Sequence, residues 1–113
     1  YVPDEKFASL YSEALALVHP SFLEGFSLTG LEAMALNCPV IAANASCLPE
    51  IYGDSVLYFD PKDPDDLVKQ INSLKKSPNL REKLINLGKK QVAKYAWSQT
   101  AKETLNFYQK IIE

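Results

Sequence analysis

Two glutamates, Glu24 and Glu32, bracket the segment Glu24-Gly25-Phe26-Ser27-Leu28-Thr29-Gly30-Leu31-Glu32, with seven residues between them. Carboxylates accept hydrogen bonds from hydroxyl groups, and charge makes those bonds stronger than neutral ones. A glycine beside the first glutamate lets the backbone turn tightly or approach a ligand closely. Ser27, or alternatively Thr29, can cap a helix that starts here. The unpaired amides of its first turn then form an anion site, reinforced by the helix dipole. A carboxylate at each end suits a ligand with hydroxyls on both sides of a phosphate, the layout of sugar, pyrophosphate and ribose. The same residues admit a structural alternative. Thr29-x-x-Glu32 fits a capping box, in which Glu32 only bonds the Thr29 backbone, and Glu24 in a loop can be a solvated surface charge.

The flanking sequence supplies the elements that position this segment. Asp4 reads as the N-cap of a helix on whose face Phe7, Leu10, Tyr11 and Ala14 recur. Residues 15–18 are a short uninterrupted apolar run, the profile of a strand buried on both faces in a parallel sheet. A loop to Phe26 and a helix over 28–36 follow. Residues 39–43 read as a second buried strand with Pro39 at its first position, residues 48–53 as a turn, and residues 56–59 as a third strand. Beyond Pro61 the pattern turns helical. Pro64 opens a helix with Leu67, Val68, Ile71 and Leu74 as its stripe. Pro78 opens another, with a break allowed at Gly88, and Trp97-Ser98 begins the last, with Leu105, Tyr108, Ile111 and Ile112 on its apolar side. Strands alternating with helices imply right-handed crossovers and a parallel sheet. The expected fold is α/β and partly Rossmann-like, with three parallel strands, flanking helices and a helical C-terminal tail. Its sheet is half the size of a complete doubly wound one.

Composition narrows the function. The 113 residues form one domain or part of one, and 47% of them are hydrophobic, ordinary for a globular protein. A net charge of −2 argues against a nucleic-acid partner. No apolar run reaches the roughly 20 residues of a membrane helix. Cys38 and Cys47 lack metal-ligand spacing, His19 is the only histidine, and no metal site is expected. Both cysteines read as small buried apolar residues in a reducing compartment. Because the chain begins with Tyr, it is expected to be an excised piece of a longer protein.

The motifs Pro20-Ser21, Glu24-Gly25-Phe26, Leu31-Glu32-Ala33-Met34-Ala35, Pro39-Val40-Ile41-Ala42 and Leu48-Pro49-Glu50 occur in that order. Gly53-Asp54, Phe59-Asp60-Pro61 and Trp97-Ser98 follow them. Together they resemble glycosyltransferase family 4, over essentially the whole chain and including its Glu-x7-Glu signature. The resemblance implies a retaining enzyme of GT-B fold that uses a nucleotide-diphosphate sugar as donor, with no cofactor and no metal. Residues 1–113 would be the second half of its C-terminal donor-binding domain, with 1–61 as the βα core carrying the donor site and 62–113 as C-terminal helices. Glu24 would be the catalytic residue, contacting donor-sugar hydroxyls near the reacting carbon. Gly25, Phe26, Ser27, Leu28 and Thr29 would line the sugar and diphosphate, and Glu32 would bond the ribose.

Two departures from the family pattern bear on the site. Ser27 stands where Gly is usual and Thr29 where Pro is common, so Ser27 adds bulk beside the donor. Asn37 and Cys38 replace a glycine-containing turn. The resemblance also implies an acceptor-binding N-terminal domain and an upstream half-domain, both outside this chain. It further implies a cytoplasmic protein that can sit at the inner face of the membrane, with a glycan or lipid-linked acceptor. The fragment alone is expected to be inactive and to self-associate, through the edge of residues 15–18 or through Leu105, Tyr108 and Ile112. A non-catalytic nucleotide-sugar-binding module is the alternative. His19 and Glu50 are expected to be structural, and Tyr95 and Trp97 to anchor the terminal helices in the core.

Overall fold

The computed structural model describes residues 1–112. Three parallel strands, β1 (Leu17–His19), β2 (Val40–Ala43) and β3 (Leu57–Phe59), form one sheet in the order β1-β2-β3. Each crossover is helical, with α2 (Leu28–Ala35) between β1 and β2 and α3 (Leu48–Tyr52) between β2 and β3. The chain opens with α1 (Asp4–Glu13) and closes with α4 (Pro64–Lys76), α5 (Pro78–Val92) and α6 (Trp97–Ile112). The expected fold class is the one observed.

Strand β2 is buried throughout, as the middle strand of a sheet with two covered faces must be. By contrast β1 is only half-buried, because β2 is its one neighbour in the sheet. It also starts later than the apolar run suggested. The ladder begins where Leu17 N donates to Pro39 O at 2.8 Å. Upstream, the Arg81 guanidinium takes the Leu15 carbonyl at 2.7 Å and the Ala14 carbonyl at 3.4 Å. A side chain thus satisfies backbone groups that the strand would otherwise have paired.

Other expectations need correction. Asp4 is the first helical residue of α1, whose N-cap is Pro3 with no side-chain bond. Residues 48–53 are mostly a helix, with Pro49 tolerated in the first turn, where the missing N–H has no partner to lose. Five residues are too few for a 3.6-residue period to show. Gly88 does not break α5. It is a contact point instead, since a Cβ there would lie 3.1 and 3.2 Å from Met34 Cγ and Cβ on α2. Asn37 ends α2 in the left-handed region (φ 60°), where asparagine is tolerated. Cys38 N donates to Ala33 O at 2.9 Å and Asn37 N to Met34 O at 3.1 Å, a Schellman closure that needs no glycine here.

The caps of the later helices follow the sequence. Asp63 accepts from the amides of Asp65 and Asp66 at 3.0 and 3.3 Å, and Ser77 from Leu80 at 3.2 Å. Val40, Ile41, Leu48, Tyr52, Leu74 and Cys38 are fully buried. Cys47 is only half-buried, contrary to expectation. Helix α6 buries no residue at all, and Trp97, read as a core anchor, is 79% exposed. Tyr95 does anchor, donating its hydroxyl to Ile51 O at 3.2 Å.

Candidate functional site

All three strands run the same way, so the segments after β1 and β2 meet at the carboxyl ends of the strands, where open α/β folds place ligands. The Glu24 backbone is held there from both sides. Its N–H donates to Ser46 Oγ at 3.2 Å, and Ser46 Oγ donates back to its carbonyl at 3.1 Å. The Cys47 thiol points at the same carbonyl, at 3.4 Å. The segment following β2 therefore fixes where Glu24 sits, whatever its side chain does.

That side chain meets His19, the last residue of β1, with Nε2 and Oε1 3.1 Å apart. The Ser21 hydroxyl and the His19 ring hold the Glu24 carboxyl below its ordinary pKa, so it is ionised near neutrality. An ionised carboxylate only accepts, so the proton between them belongs to Nε2. His19 was expected to be structural. Its ring contacts the candidate catalytic residue, a role compatible with that expectation.

Ser27 occupies the N-cap position of α2 but does not cap it. Its backbone is left-handed (φ 74°, ψ 74°), and its side chain bonds no helix amide. The hydroxyl lies 2.6 Å from Tyr52 Oη and 3.3 and 3.4 Å from the two His19 nitrogens. A glycine adopts that backbone freely, whereas serine is held there by its neighbours. The added hydroxyl is thus engaged with protein groups. Thr29 lies inside the first turn and is not a cap either. The amides of Leu28 and Thr29 have no carbonyl one turn earlier to bond, and no side chain caps them. The capping box does not form, because Thr29 is not the N-cap, and Glu32 stays exposed on the second turn.

Gly25 stands open: a Cβ there would meet nothing within 4 Å. The fold alone does not demand glycine at this position. Gly25→Ala is accordingly expected to change stability by no more than about 0.5 kcal/mol, the range of surface substitutions, measured by denaturant unfolding. A larger loss would mean that the free protein needs the glycine.

Phe26 is partly exposed and packs edge-on against Tyr95, their ring centroids 5.5 Å apart. Phe26, Leu28, Leu31, Glu32, Tyr95 and Trp97 line an apolar cleft of about 540 Å³ beside the α2 start. The site region therefore brings Glu24, Ser27 and the α2 amides together, with Glu32 one turn further along and Glu50 exposed in the first turn of α3. Sequence reasoning missed Ser46, Tyr52 and the close packing of Gly30 on Tyr52, where a Cβ would lie 2.2 Å from the phenol oxygen. A glycine inside an otherwise strong helical stretch was the only available signal, and it marks close packing as often as it marks a site.

The family described as "Glycosyl transferases group 1" matches residues 1–91. The chain belongs to this family. Relatives similar to it include an O-antigen chain mannosyltransferase B of Escherichia coli, 39% identical over 96% of this chain and 28% of that protein. An MMP alpha-(1->4)-mannosyltransferase of Mycolicibacterium hassiacum is 34% identical over 96% of this chain and 28% of its own length. Among solved structures, a sucrose-phosphate synthase from Thermosynechococcus elongatus superimposes with a TM-score of 0.86 at 28% identity, over 98% of this chain and 29% of that one. The chain thus spans less than a third of the length of these proteins. The GT-B type of fold, with its three parallel strands and helical tail, is shared with that neighbour.

Proposed function

We propose that this chain is the donor-binding wall of a retaining glycosyltransferase that transfers a hexosyl group from a nucleoside diphosphate sugar to a glycan or lipid-linked acceptor. The observation that carries it is the arrangement around the start of α2: a fixed, ionised Glu24 before it, uncapped amides at it, and an exposed Glu32 one turn in. Glu24 faces the sugar near the reacting carbon. Gly25, Phe26, Ser27, Leu28 and Thr29 line sugar and diphosphate, and Glu32 takes the ribose hydroxyls. As the diphosphate leaves, negative charge gathers beside the α2 amides, which need not reorganise to receive it. No metal or cofactor enters this reading. The mannosyltransferases among the relatives favour a mannosyl donor. The acceptor side and the rest of the diphosphate clamp lie in other parts of the enzyme, placed in the cytoplasm at or near the membrane face. Among the described residues no helix is long and apolar enough to cross a membrane.

Calorimetry on the full-length protein with a panel of nucleoside diphosphate hexoses tests the donor assignment. Glu32→Ala is expected to weaken donor binding about 10- to 100-fold, the worth of hydrogen bonds to a charged acceptor. Unchanged affinity would remove Glu32 from the site. The anomeric configuration of the product, read by NMR, tests retention. Binding without turnover would make the protein a nucleotide-sugar-binding module instead.

A further inference from the structure

Among the described residues Tyr52 is the largest fully buried side chain, and its hydroxyl reaches Ser27. Its ring fills the space beside Gly30, where a Cβ would lie 2.2 Å from the hydroxyl and 2.3 Å from the ring carbon that bears it. The hydroxyl donates to Ser27 O at 3.1 Å. Its single proton is then used, so the 2.6 Å contact is the Ser27 hydroxyl donating to Tyr52 Oη. Two reciprocal bonds tie one buried phenol to both the backbone and the side chain of the left-handed residue. The His19 ring stands edge-on to the same phenol, at 6.4 Å between centroids, and carries Glu24 on its Nε2. A continuous chain of contacts therefore runs from α3 through Ser27 and His19 to the Glu24 carboxylate.

We propose that Tyr52 is a positioning residue of the donor site: it locks Ser27 in the left-handed conformation and, through Ser27 and His19, sets the orientation of Glu24. The proposal rests on the donor-site reading above. It explains how serine persists at a position whose backbone suits glycine, because the bonds from Tyr52 offset the cost of the positive φ. It also separates two tasks of one side chain. The ring packs against Gly30, and the hydroxyl orients the site.

Tyr52→Phe keeps the ring and removes the hydroxyl, and Ser27→Gly removes the need for a lock. In the full-length enzyme, Y52F is expected to lower kcat about tenfold, near the net worth of a hydrogen bond expressed as a rate. In the S27G background the same change is expected to cost less than about twofold. A merely structural hydroxyl would cost the same in both backgrounds, and equal losses, or none in either, would overturn the proposal. Crystal structures of the variants give a readout that needs no turnover. Y52F should release Ser27 from positive φ and move the Glu24 carboxylate off His19, and an unmoved Ser27 and Glu24 would sink the idea. A wild-type protein that binds and transfers no sugar would refute the donor-site reading, while the crystal structures would still decide whether Tyr52 sets Ser27 and Glu24.

Discussion

Glu24→Gln in the full-length enzyme is expected to lower kcat for sugar transfer by about 10²- to 10³-fold, the usual cost of removing one preorganised electrostatic contact. On the proposed donor-site reading the reacting sugar would pass through an oxocarbenium-like state, as in glycoside hydrolysis, and positive charge would grow beside Glu24. Glutamine keeps the shape and loses the charge. Its amide nitrogen would also meet the His19 Nε2–H, donor against donor, unless the amide flips. The loss should fall on kcat more than on donor KM, because the charge interaction strengthens only as the bond breaks. Folding should be little affected. The Glu24 backbone is held by Ser46, and its side chain is about one-third exposed. Unchanged thermal stability with unchanged transfer would remove Glu24 from the chemistry. The pH sign is fixed as well. The carboxyl pKa lies below its ordinary 4.5, so Glu24 stays ionised above that value and its contribution is lost only on further acidification. A fall in rate at higher pH belongs to another group.

The sheet was legible in the sequence because its strands are short apolar runs cut off by Pro, Gly and Asp, and the crossovers between them allow one handedness. The 24–32 segment could be found for a related reason: a glycine-containing turn that ends a strand and opens a helix is a local feature. What lay hidden was everything that depends on a partner distant in the chain. Ser46 lies 22 residues from Glu24, and Tyr52 lies 25 from Ser27. No period or spacing links such pairs. Ser27 reads locally as a helix cap, yet its backbone is left-handed and its hydroxyl bonds Tyr52 rather than a helix amide. His19 reads as a strand end beside a proline, and only the returning loop makes it a neighbour of Glu24. The exposure of Trp97 was hidden too, since a tryptophan after a helical stretch ordinarily means burial.

Gly30→Ala is expected to destabilise the protein by about 2–4 kcal/mol, although alanine is the better helix former. Propensity alone favours the substitution by about 1 kcal/mol. Against it stands a Cβ placed 2.2, 2.3 and 2.7 Å from three atoms of Tyr52, well inside contact distance. Tyr52 is fully buried and cannot swing aside into solvent. Overpacking of this kind costs about 1–3 kcal/mol. Displacing the phenol also breaks its bonds to Ser27 and strands a buried hydroxyl, which costs about 1–3 kcal/mol more. The clash outweighs the propensity gain. Denaturant unfolding of Gly30→Ala alone and combined with Tyr52→Leu checks the mechanism. Leucine is shorter and apolar, so the double variant should lose less than the sum of the singles, a coupling expected between residues in contact. Strict additivity, or a Gly30→Ala protein as stable as its parent, would show that Tyr52 does not fill the space beside Gly30. If the coupling is present, the same contact links stability to function. Gly30 then makes room for the ring whose hydroxyl holds Ser27, so Gly30→Ala should impair sugar transfer at temperatures where the protein is still folded.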